Sequence, residues 1–131
     1  LVKEDGVLAG VDIARKVFYH TDDRITMEQF IQDGAFIKKG DIVFEVSGPS
    51  IALLTAERTA LNFMQRMSGI ATQTRMMVDA VEGLPTRILD TRKTTPLLRE
   101  LEKMAVRLGA WPLKLKPVTL TKFRRCSNTE A

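Results

Sequence analysis

From about Leu53 to Glu82 the sequence keeps a helical period, and a run of that length excludes an all-strand fold. Leu54, Leu61, Met64, Met67, Ile70 and Ala71 fall on one broad stripe, with Glu57, Arg58, Asn62, Gln65 and Arg66 elsewhere. Gly48-Pro49-Ser50 breaks the chain before this stretch, Thr55 is the expected N-cap, and Gly83 is the expected C-cap, with Pro85 beyond. Ser68-Gly69 predicts a kink or restart midway. The methionines that gather here read as adaptable core filling.

The residues in front of this helix carry a different period. Val7-Leu8-Ala9-Gly10 is apolar and too short for a helix, so it reads as a strand. Val11 to Phe18 reads as a short helix, with Val11, Ala14 and Phe18 near helical spacing and Asp12 in the first turn. His20 falls in a polar loop and reads as an exposed side chain without catalytic company. Between Ile25 and Ser47, Ile25 and Met27 alternate with polar neighbours, and Ile42, Phe44 and Val46 alternate with Asp41, Val43, Glu45 and Ser47. Asp33-Gly34 and Lys39-Gly40 punctuate strands joined by tight turns.

Behind the long helix, Arg87-Ile88-Leu89 reads as the end of a buried strand that empties into Asp90-Thr91-Arg92-Lys93-Thr94-Thr95-Pro96. This turn holds two adjacent cations and several hydroxyls, a composition suited to an anionic ligand. With Thr95 as N-cap and Pro96 as first helical residue, the turn would also offer a helix N-terminus to an anion. Leu97, Leu101, Met104, Ala105 and Leu108 then form an apolar stripe, with Arg99, Glu100, Glu102, Lys103 and Arg107 on the wet side and Gly109 as the stop. From Ala110 onward neither period is present.

Composition narrows the chemistry. A chain of 131 residues with 44% hydrophobic content supports one core. The net charge of +4 resides after Leu113, where Lys114, Lys116, Lys122, Arg124 and Arg125 face only Glu130. No aromatic interleaving accompanies these cations, so a solvated tail is the preferred reading over a nucleic-acid interface. Cys126 is the only cysteine and His20 the only histidine, which excludes an intramolecular disulfide and a zinc site of the usual Cys/His kind, and a lone imidazole with no acid partner in register makes a poor case for a catalytic triad. No leader and no apolar run of membrane-spanning length is evident, and a cytoplasmic location is expected.

Three stretches in order carry a family resemblance. Thr55-Ala56-Glu57-Arg58-Thr59-Ala60-Leu61-Asn62, Met67-Ser68-Gly69-Ile70-Ala71-Thr72 and Asp90-Thr91-Arg92-Lys93-Thr94-Thr95-Pro96 resemble quinolinate phosphoribosyltransferase, and Lys3 to Gly10 fits that family's KEDGVLAG segment. The resemblance implies an α+β chain: an α/β-hammerhead N-terminal domain with the long helix over 1–84, then the first strand and helix of an incomplete α/β barrel over 85–109, then an irregular basic tail over 110–131. It also implies a pentosyltransferase that joins quinolinate to phosphoribosyl pyrophosphate with Mg²⁺, giving nicotinate mononucleotide, carbon dioxide and pyrophosphate for NAD synthesis.

By position, Arg92 and Lys93 match the pair that holds substrate carboxylate and phosphate groups, with Lys93 in a catalytic role. Arg58 matches the arginine that enters the neighbouring subunit's site in a homodimer. Residue chemistry agrees: a planar dicarboxylate suits a bidentate guanidinium, and departing pyrophosphate suits a lysine charge.

The chain also departs from the family pattern. Leu97 replaces the glycine of TTPGLR, and after Gly109 the GGxxNHR and KDNH stretches do not follow, so no Mg²⁺ ligands are expected in this chain. The expectation is an incomplete or frame-disrupted member without turnover, self-associating through Leu97, Leu101, Met104 and Leu108. The alternatives are a ModD-type or nicotinate phosphoribosyltransferase relative, or a biotinyl/lipoyl-like carrier suggested by Asp33-Gly34 and Lys38-Lys39-Gly40-Asp41. No lysine in the chain has the methionine or Asp/Ala flanks of a carrier attachment site.

Overall fold

A computed structural model describes residues 1–86 and 88–110. The elements are β1 (Gly6–Val7), α1 (Val11–Thr21), β2 (Thr26–Gln29), β3 (Phe36–Ile37), β4 (Phe44–Ser47), α2 (Ser50–Ala80) and α3 (Arg99–Ala110). This is the mixed α+β architecture expected, and among the described residues no barrel closes. The strands form two antiparallel ladders of two, β1 with β3 and β2 with β4, the latter in register from Thr26 opposite Ser47 to Gln29 opposite Phe44.

Helix α2 is the spine, and small residues make it one. Its buried positions are Ala52, Ala56, Ala60, Met64, Met67, Ala71, Thr74 and Val78, a narrow stripe at spacings of three and four. Alanines at the N-terminal end let α1 lie close, and Val11, Ala14 and Phe18 meet them in a first core with Leu8, Ile25, Ile37 and Val43. A second core joins Val7, Ala9, Met67, Ala71 and Ala105, with Leu101, Met104 and Leu108 packed on its edge. Met67 is among the largest fully buried side chains.

The stripe expected from hydrophobicity was therefore too broad. Leu54 and Leu61 are 71% and 46% exposed, as is Ile51 at 82%, because backbone proximity selects the alanine face and leaves the bulky face outward. Nor does the helix restart at Ser68-Gly69. The Ser68 hydroxyl accepts from the Ala9 amide at 3.0 Å and donates to the Ala9 carbonyl at 3.1 Å, so the serine serves β1's end rather than breaking α2. Thr55 lies inside the helix with its hydroxyl on the Ile51 carbonyl, and Pro49 holds the N-cap position. At the far end α2 stops at Ala80, three residues before Gly83, whose φ of +80° closes the turn that follows.

Three further expectations are corrected. Val43 is buried in place of Ile42: its carbonyl accepts from both the Phe30 and Ile31 amides, at 2.9 and 3.2 Å, a bulge just before β4 that shifts the alternation by one residue. Ile88 and Leu89 form no strand, and Leu89 is exposed; Arg87 is outside the described residues. Gly109 does not stop α3, which continues through it to Ala110. A Cβ at Gly109 would lie 2.2 Å from the Ala71 carbonyl oxygen, so this glycine is where α3 touches the α2 backbone. The basic tail lies outside the described residues.

Candidate functional site

The turn from Asp90 to Pro96 reaches α3 by a different route from the one its sequence suggests. Thr95 does not cap a helix starting at Pro96: its carbonyl accepts from the Leu98 amide at 3.0 Å, with Pro96 and Leu97 between. Proline at the second position and a positive φ at the third, +66° at Leu97, are the pattern of a type II turn. That turn calls for glycine at its third position. Leu97 occupies it, fully exposed, at a left-handed conformation that costs a side-chain-bearing residue about 1–2 kcal/mol. Helix α3 starts only at Arg99, with Glu100 and Glu102 in its first turn.

The helix N-terminus is thus not directed at the turn's cations. The Thr95 amide, which could have faced an anion, donates instead to Glu102 Oε2 at 3.2 Å. Glu102 also accepts from Arg66 on α2 at 3.1 Å through Nε, and the Arg66 guanidinium donates to the Thr95 hydroxyl. Arg66, with the hydroxyl and amide of Thr95, holds the Glu102 carboxyl below its ordinary range. At the other end of the turn Lys103 Nζ pairs with Asp90 Oδ2 at 2.5 Å. Arg99 Nε donates to the Thr94 hydroxyl at 3.3 Å, and the Lys93 amide donates to the Thr91 hydroxyl at 3.1 Å.

Arg92 and Lys93 are exposed, and among the described residues neither side chain enters an ion pair. They are adjacent in the turn. Arg58 is also exposed and also outside any such pair, but it stands apart from them. Arg66, which touches Thr95, lies two helical turns further along α2, a rise of about 12 Å. Arg58 instead sits between Ile51, Leu54 and Leu61, the exposed apolar residues of the outward face. Sequence reading missed Arg66, Glu102 and Lys103, whose charges look solvated by period alone. Their partners are 36 and 13 residues away, a distance at which no local pattern operates.

Among the described residues no three or more His, Cys, Asp or Glu side chains converge in a way that could hold a metal ion. No helix among those residues is long and apolar enough to cross a membrane.

The family profile described as "Quinolinate phosphoribosyl transferase, N-terminal domain" matches residues 1–68, and the profile for the C-terminal domain matches residues 70–112. The chain belongs to the quinolinate phosphoribosyltransferase family. It is 49% identical to the chloroplastic nicotinate-nucleotide pyrophosphorylase [carboxylating] of Arabidopsis thaliana over 83% of this chain and 31% of the relative. A probable nicotinate-nucleotide pyrophosphorylase of Bacillus subtilis is 44% identical over 83% of this chain and 38% of its own length. Among solved structures, NadC from Streptococcus pyogenes superposes with a TM-score of 0.78 at 46% identity, over 82% of this chain and 38% of that one. The enzyme from Francisella tularensis gives 0.79 at 38% identity, over 83% and 39%.

The chain therefore spans about a third of the length of the curated relatives it matches. The two quinolinate phosphoribosyltransferase profiles meet between Ser68 and Ile70, inside the unbroken helix α2. Family membership also disposes of the carrier alternative. The Lys38–Asp41 turn that prompted it is tied into the sheet region, with the Lys39 amide donating to Asp5 at 2.8 Å and the Lys38 amide to Asp41 at 2.8 Å.

Proposed function

We propose that these residues supply part of the site at which quinolinate and phosphoribosyl pyrophosphate are joined to form nicotinate mononucleotide, with release of carbon dioxide and pyrophosphate. The reading rests on one observation: in a chain of this family, Arg92 and Lys93 project from the turn with no counter-charge of their own among the described residues. The Arg92 guanidinium suits a carboxylate of the pyridine ring by two parallel hydrogen bonds, and Lys93, in the catalytic role, offsets charge gathering on departing pyrophosphate. The reaction builds charge at the anomeric carbon and on the leaving group, and fixed cations stabilise it without a protein nucleophile.

Arg58 is proposed to act in a second copy's site within a homodimer. Its placement supports this: it is remote from Arg92 in its own chain and is surrounded by Ile51, Leu54 and Leu61, apolar residues suited to burial against another subunit. Of the self-association surface expected at Leu97, Leu101, Met104 and Leu108, the last three pack partly buried on the second core and Leu97 stays exposed, so the outward face of α2 is the better candidate. Groups beyond these residues complete the site in this reading, Mg²⁺ arrives with ligands from outside them, and a cytoplasmic location is part of the same proposal. The description of the matching family favours quinolinate over the substrates of ModD-type or nicotinate phosphoribosyltransferase relatives.

Calorimetric titration of quinolinate and pyrophosphate into the 131-residue chain tests the reading. Binding that falls at least about tenfold in Arg92→Ala and Lys93→Ala is expected, as for loss of one charge-assisted contact. Unchanged affinity in both variants would overturn it, and robust nicotinate mononucleotide formation by the isolated chain would refute the incompleteness of the site. A purely monomeric sedimentation profile at micromolar concentration would count against the role given to Arg58.

A further inference from the structure

Two adjacent side chains of α3 reach back to opposite ends of the cationic turn. Lys103 holds Asp90, two residues before Arg92, and Glu102 accepts from the amide of Thr95, two residues after Lys93. Glu102 is the more covered of these groups, its side chain 13% exposed, while Lys103 and Asp90 keep 27% and 28% of theirs in solvent. Glu102 is itself fixed to α2 through Arg66, so the turn, α3 and α2 share one network. Charge follows the same plan. Asp90 and Glu102 would each repel an anion near the turn, and Lys103 and Arg66 cancel them pair by pair.

We propose that Glu102 and Lys103 are positioning residues that brace the two ends of the Asp90–Thr95 turn and neutralise its acids, so that Arg92 and Lys93 meet an incoming polyanion as an undivided positive pair. This rests on the functional reading of Arg92 and Lys93 given above. The brace adds what the type II turn lacks: Leu97 disfavours the conformation that leads into α3, and the side chains of α3 hold the turn in place from the other direction.

The test compares Lys103→Met with Lys103→Arg, and Glu102→Ala with Glu102→Gln, in the full chain. Inorganic pyrophosphate is the calorimetric probe, and hydrogen exchange at the Thr95 amide is the second readout. Lys103→Met and Glu102→Ala are expected to weaken pyrophosphate binding about tenfold, whereas Lys103→Arg and Glu102→Gln, which keep the ion pair or the acceptor, stay within about threefold of the parent. The Thr95 amide should exchange faster in Glu102→Ala while the Ala14 amide in α1, a control for folding, is unchanged. Parent-like affinity in both disruptive variants overturns the brace, as does equal loss in the conservative ones. If the parent chain binds no pyrophosphate, the functional reading fails and exchange alone decides: unchanged Thr95 protection in Glu102→Ala overturns the brace, and faster exchange supports it.

Discussion

The same substitution, glycine to alanine, should have opposite signs at two helical glycines. Gly69 lies inside α2, exposed, with nothing within 4 Å of the position its Cβ would take. Alanine there should stabilise the chain by about 1 kcal/mol through helix propensity alone. Gly109 lies inside α3, where the added Cβ would be 2.2 Å from the oxygen, 2.8 Å from the carbonyl carbon and 2.9 Å from the Cα of Ala71. Every one of those atoms is backbone of α2, so no rotamer change relieves the overlap, and the helices must separate by roughly 1 Å.

Overpacking of this kind costs about 1–3 kcal/mol, and here it is joined by loosened contacts around Ala105 and Met67. Against the gain of about 1 kcal/mol from propensity, and with the loosened contacts included, Gly109→Ala should lose about 1–2 kcal/mol net. Urea denaturation followed by circular dichroism would report it as a lower midpoint at unchanged slope, and thermal melting as a fall on the order of 10 °C. Gly109→Ala at or above parent stability would refute the close crossing of α2 and α3. A loss in Gly69→Ala would refute the reasoning from open space.

Other substitutions probe separate features. Leu97→Gly relieves a left-handed leucine whose side chain buries nothing; after the entropy that glycine adds to the unfolded chain, a gain of up to about 1 kcal/mol should appear in the denaturation midpoint, and a loss would show that the positive φ carries no strain. Met67→Ala should cost about 2–5 kcal/mol by opening a cavity in the second core, with calorimetric melting as the check. Arg24 beside Asp22, by side-chain and backbone hydrogen bonds, holds that carboxyl at about 2, below its ordinary 3.8. Since the folded value is the lower, the charged form contributes stability above the ordinary value, and this is lost as pH falls from 3.8 through about 2. Asp22→Asn should therefore flatten the acid limb of a stability–pH curve in that window, and an unchanged limb would argue against the Asp22–Arg24 pair.

The tenfold effects expected of Arg92 and Lys93, the outward Arg58 and the brace of Glu102 and Lys103 describe one arrangement in which α2 connects two kinds of chemistry. Its alanine face carries the fold and its outer face carries Arg58, while Arg66 reaches the cationic turn from the side. The ends of the network differ in robustness. Arg66 and Glu102 are carried on helices α2 and α3, whereas Arg92 and Lys93 project from irregular backbone.

Local pattern determined a good deal here. The periods around Val11–Phe18 and Leu101–Leu108 place helices, the glycines at 34 and 40 adopt the positive φ expected of tight turns, and the string from Asp90 to Pro96 marks the family and its cations. These are short-range properties: each depends on neighbours within a few residues, which is the distance over which backbone sterics and helical periodicity act. Tertiary structure decided which face of α2 is buried, because small size and not hydrophobicity governs how closely two backbones approach, so Ala52, Ala56 and Ala60 went in and Leu54 and Leu61 stayed out. It also turned Gly109 from a helix stop into a helix contact and gave Glu102, Lys103 and Arg66 their partners, since contacts between residues far apart in sequence exist only once α3 lies on α2.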